Sequence, residues 1–191
     1  MVNFKGIQEQ NNDMQWRDIS EASSITKNRI ISVYGDSIGR DTLISLGKLI
    51  SGDKTTVKFD ESDRHKDRSF HEPNGATLNF FWSPLTDDTI MRLSHSLLAK
   101  SFTSNEIVII SNGAWDMLHQ PCREAKCGGN DGNGYFVEGV DKILGAIDSR
   151  MRMTAHESAA IWIAPTLVVP ENLPPTKSEE MTVEAGWNYR Q

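Results

Sequence analysis

Arg29-Ile30-Ile31-Ser32-Val33-Tyr34-Gly35-Asp36-Ser37-Ile38-Gly39-Arg40 decides the reading of the fold. Its first half is a short, β-branched apolar run bounded by Gly35, the pattern of a buried strand. Its second half is a polar turn into Thr42–Ile50, where Leu43, Ile44, Leu46, Leu49 and Ile50 recur at helical spacing and stop near Gly52. A continuous apolar strand feeding an amphipathic helix is the unit of a parallel sheet covered on both faces.

The unit repeats along the chain. Residues 76–82 read as a strand stopped by Pro84, and 87–100 as an amphipathic helix with an acidic start and a basic end. Glu106-Ile107-Val108-Ile109-Ile110-Ser111 is the cleanest buried strand, followed by a Gly-rich loop at 128–134 and a helical pattern over 135–153. Residues 159–164 form another strand ended by Pro165, and a last helix starts at Lys177. A short strand at Thr55–Phe59 would bring the count to five, and the mixed-sign run Asp60–Arg68 reads as a solvated loop. The expectation is a three-layer α/β/α sandwich with a five-stranded parallel sheet over 29–191, preceded by a polar lead-in at 1–28.

Composition narrows the function. The chain has 191 residues, 26 acidic against 20 basic side chains and a net charge of −6. That balance argues against a nucleic-acid binder, which needs a basic face. No apolar run approaches the ~20 residues of a membrane helix. The polar start lacks the apolar stretch of a signal peptide, so the chain reads as cytoplasmic if complete and as secretory if a leader precedes it. Cys122 and Cys127 lie in the Gly-rich region as either a local disulfide or two thiols. With His119 nearby a zinc site is conceivable, but a fourth ligand is lacking, and neither metal nor cofactor is expected.

In open parallel sheets, chemistry gathers beyond the carboxyl ends of the strands. Three such loops carry candidates. Ser37 sits at a strand-to-helix turn, where the opening amides of a helix can stabilise an oxyanion; it also reads as a mere N-cap with Asp36 as turn former. The loop Ser111-Asn112-Gly113-Ala114-Trp115-Asp116-Met117-Leu118-His119 places polar and aromatic groups at a buried strand's end. Asp116 and His119 are spaced to meet on one helical turn as an orienting carboxylate and a base. Phe81-Trp82-Ser83-Pro84 is either the mouth of a site or a strand terminator.

Gly35-Asp36-Ser37-x-x-Arg40 resembles the opening motif of the PC-esterase branch of the SGNH (GDSL-like) hydrolases, related to trichome-birefringence-like polysaccharide O-acetyltransferases. Phe80-Phe81-Trp82-Ser83-Pro84, Ile109-Ile110-Ser111-Asn112-Gly113-Ala114-Trp115-Asp116 and Ile161-Trp162-Ile163-Ala164-Pro165 are similar to later blocks of those proteins, in the same order. The resemblance implies a serine esterase or O-acyltransferase that acts on acylated, above all acetylated, carbohydrate through an acyl-enzyme. Ser37 would be the nucleophile, with Asp36 and Arg40 beside it. Gly39, Asn74, Asn112, Gly113 and Trp115 would line the substrate or oxyanion pocket.

Two departures stand against it. Trp115 occupies the place of the oxyanion-donating Asn of the wider SGNH group. The Asp-x-x-His pair that family members carry near the C-terminus is absent after the fifth strand, as if the domain lacked that segment; an inactive relative is the other explanation. The single Asp-x-x-His of the chain is Asp116–His119, an alternative acid/base pair. The rival readings are a glycan-binding module using Trp82 and Trp115 as stacking platforms, and a flavodoxin-like nucleotide binder. The glycine spacing of the first turn disfavours the second rival.

Overall fold

A computed structural model of the protein describes residues 19–98, 105–119, 133–153, 159–163 and 175. In chain order the elements are α1 (Ile19–Thr26), β1 (Ile30–Gly35), α2 (Ser37–Ser51), β2 (Arg68–His71), β3 (Thr77–Trp82) and α3 (Thr86–Leu98). β4 (Glu106–Ser111), α4 (Ala114–His119), α5 (Asn133–Met153) and β5 (Ala159–Trp162) follow. The strands form one sheet in the order β2-β3-β1-β4-β5. β3, β1, β4 and β5 are mutually parallel, in line with their continuous apolar runs; α2, with α1 packed on it, covers one face, while α3 and α5 pair on the other. The three-layer α/β/α architecture is therefore as expected.

Strand alternation divides the core. Ile31, Val33, Leu78, Phe80 and Ile109 meet Leu43 and Ile50 of α2 on one face, and Tyr34, Val108 and Ile110 meet Leu93 and Ile143 on the other. Gly35 packs tightly against Ser111 of β4. A Cβ at that position would stand 2.5 Å from the Ser111 carbonyl oxygen, so no larger side chain fits there without moving backbone.

Two expectations need correction. Residues 55–59 form no strand: the Thr56 amide donates to the Glu72 carboxylate (2.8 Å) instead of a neighbouring strand, and Val57 plugs into the core beside Gly47. The fifth strand is β2, inside and beyond the charged run, and it pairs antiparallel to β3, so the sheet is mixed. Only Phe70 of β2 packs inward, against Phe59, which is why its sequence carries so little apolar signal. α2 also starts five residues before Thr42, because Asp36 caps it. The expected C-terminal helix, both cysteines and Gly128–Gly132 lie outside the described residues. Among the described residues no helix is long and apolar enough to cross a membrane.

Candidate active site

β1 lies between β3 and β4, so the connection leaving it and the one returning past it run to opposite sides of the sheet. The carboxyl end of β1 is the topological switch point, the usual crevice of open α/β folds. In register, Gly35 stands beside Trp82 of β3 and Ser111 of β4. Ser37 follows two residues later as the first residue of α2, half-buried.

Asp36, not Ser37, is the cap of α2. Its carboxylate accepts from the Ile38 amide at 2.8 Å, and from the Gly39 amide, while its carbonyl accepts from the Arg40 amide at 3.0 Å. Burial pushes its carboxyl above the ordinary value, and those amides oppose the shift without cancelling it. Three of the amides at the start of α2 are thereby satisfied by Asp36. Among the described residues, the Ser37 N–H and Oγ have no hydrogen-bond partner. The serine thus offers both a hydroxyl and an adjoining donor at the strand-end edge. Gly39 lies behind it against Val33 and Ser111, where a Cβ would come within 3.3–3.4 Å of both.

The other candidates divide. Arg40 turns to its own neighbour, its Nε and Nη2 3.2–3.3 Å from Asp41 Oδ1, and holds no oxyanion position. Asn74 is at the opposite edge of the sheet, in the turn before β3, where it donates to the Ser23 carbonyl (2.8 Å) and Thr26 Oγ1 (3.1 Å). The structure thus sets Asn74 apart from the carboxyl end of β1, where Ser37 lies. Asn112 is buried and acts as a clasp: it accepts from Thr89 Oγ1 (3.0 Å) and donates to the Ser83 carbonyl (2.6 Å). Gly113, with φ of +118°, turns the chain from β4 into α4. Asp116 accepts from Thr86 N and Oγ1 (3.1 and 2.8 Å) and from the Gly113 amide, tying the starts of α3 and α4 together. Its carboxylate is engaged structurally and bonds no imidazole among the described residues. The side chain of His119, and with it the zinc reading, lies outside them.

Trp115 and Trp82 do come together at this edge, edge-to-face with ring centroids 5.7 Å apart. Sequence reasoning missed their third partner: His65, from the charged run, lies 4.3 Å from the Trp82 ring and 6.3 Å from that of Trp115. Ser83, within the 81–84 segment read as a site mouth or a strand terminator, donates its amide to the Gly35 carbonyl (2.9 Å), and among the described residues its buried Oγ has no partner. Ser83 carried a signal, a small polar residue closing an aromatic strand before Pro84. His65 carried none, since charged loops hold histidines routinely.

No protein family, curated protein or solved structure matches this chain.

Proposed function

We infer that the chain is a serine-nucleophile acyl esterase or O-acyltransferase of the PC-esterase type, acting on acylated carbohydrate. The observation that carries this reading is Ser37: at the first position of α2, at the switch point of the sheet, with hydroxyl and amide both unengaged among the described residues. In the proposed reaction Oγ attacks the acyl carbonyl carbon and a base takes its proton. The oxyanion draws on the Ser37 N–H, the alcohol leaves, and water or a sugar hydroxyl then takes the acyl group from the serine. Trp82, Trp115 and His65 supply flat walls of the kind on which pyranose rings stack, which supports a carbohydrate as the substrate's body.

The test is labelling with a fluorophosphonate probe, peptide mapping of the adduct, and p-nitrophenyl acetate turnover. The expected outcome is an adduct on Ser37 and a turnover abolished by Ser37→Ala. Absence of both adduct and turnover overturns the reading. A second reading, a glycan-binding module without turnover, is favoured by the aromatic cluster and by the lack of a base on Ser37 among the described residues. It predicts calorimetric binding of acetylated xylo-oligosaccharides that Trp115→Ala removes and Ser37→Ala leaves unchanged.

A further inference from the structure

The face of the sheet turned away from α2 carries an anomaly. Core-facing positions of a parallel sheet are ordinarily apolar, because an unbonded polar group there costs free energy. Here Asn79 and Ser32 stand side by side in register on β3 and β1, and the exposed Ser69 of the edge strand β2 extends the row to solvent. Ser69 Oγ donates to Asn79 Oδ1 at 2.8 Å, and Asn79 Nδ2 donates to Ser32 Oγ at 3.4 Å. Ser32 is buried at 1% exposure. The row leads into a cavity of about 580 Å³ between the sheet and α3.

The inner wall of that cavity holds Glu106 and Arg150, an ion pair with side chains only 8% and 3% exposed. Arg150 also bonds the Tyr34 hydroxyl. Tyr34 and Phe81, stacked with centroids 4.7 Å apart, and Met91 of α3 complete an apolar wall. Arg92 caps the outer side, 5.9 Å above the Phe81 ring, with its charge met by Asp67 at 2.8 Å. His95 and Ser96 of α3 form the rim.

We propose that this cavity is a second binding site, for a small, flat, uncharged molecule whose ring carries an amide or hydroxyl. The charges argue for neutrality: Glu106 and Arg150 cancel each other, and Arg92 is already paired, so the walls favour neither an anion nor a cation. The apolar wall fits a ring, and the Ser32–Asn79 row offers a hydroxyl and an amide to a group at its edge. The volume lies in the range of ordinary small-molecule sites. The site is separate from Ser37, which opens the helix on the other face of the sheet, so it stands or falls independently of acyl transfer.

Three probes with one ring and different head groups test it: benzamide, benzoate and benzamidine, titrated to about millimolar concentrations against the isotope-labelled protein by NMR. The expected result is saturable shifts of the Ser32, Asn79 and Phe81 amides with benzamide, and affinities at least about tenfold weaker for the two charged probes. Ser96→Trp, which fills the rim from α3, should abolish the benzamide shifts, and Asn79→Leu should weaken them about tenfold. If Asn79→Leu does not fold, as its own spectrum will tell, Ser96→Trp carries the test alone. No shifts with any probe, shifts that survive Ser96→Trp, or tighter binding of benzoate or benzamidine than of benzamide overturns the proposal.

Discussion

Asp116 illustrates how one buried carboxylate can look catalytic and be structural. Burial pushes its carboxyl above the ordinary 3.8, and the bonds from Thr86 oppose that without reversing it. A raised value means that the folded chain holds the proton more tightly than the unfolded chain does. The stability linked to this group is therefore present below 3.8 and declines as pH rises through the interval up to the raised value. Asp116→Asn retains an acceptor for the Thr86 amide, and is expected to flatten that decline in urea titrations run across acidic pH. Asp116→Ala removes the acceptor altogether and should lower stability by about 1–3 kcal/mol at neutral pH, measured in the same way. Asp36 shares the direction of shift but caps α2, so its replacement would add a helix-cap loss and confuse the pH reading.

At the scale of elements, the Glu106–Arg150 pair fastens the last turns of α5 to the start of β4. Breaking it from one side leaves a buried charge, so Arg150→Met should cost about 3–5 kcal/mol in chemical denaturation. Adding Glu106→Met should restore most of that loss, because no charge then remains to be desolvated. A deficit in the double variant equal to the single one would mean that Arg150 stabilises the chain through its other contacts. The elements most legible in the sequence were those with both faces buried. Glu106–Ser111 was bounded to the residue because four apolar side chains, Ile107 to Ile110, run unbroken between its polar ends. β2 was invisible, since Arg68, Ser69 and His71 face solvent and Phe70 alone faces the core. Thr55–Phe59 misled in the other direction: its alternation is real, but Glu72 satisfies its backbone where a strand would. For the candidate site, the Gly35-Asp36-Ser37 turn was legible because backbone geometry fixes it. The partners of Asn74, Asn112 and Asp116 were not, because each is set by contacts across tens of residues.

At the scale of the whole molecule, β1 is the axis of the sheet, paired on both sides, while β2 is an edge with one partner. Native-state hydrogen exchange is expected to show the highest amide protection in β1 and β4 and the lowest among the strands in β2. The two sites lie on opposite faces of that axis. The polar row on one of them has a consequence for how such a sequence persists. Ser32→Val with Asn79→Leu would exchange a hydrogen-bonded row for apolar packing against the Tyr34–Phe81 wall. That change is expected to raise the melting temperature, with a gain of about 1 kcal/mol, while benzamide binding disappears. Selection for stability alone would thus erase the row within two substitutions. A chain that keeps it trades robustness for an open, wettable interior, and a stability-selected library of this protein should lose the serine and the asparagine first.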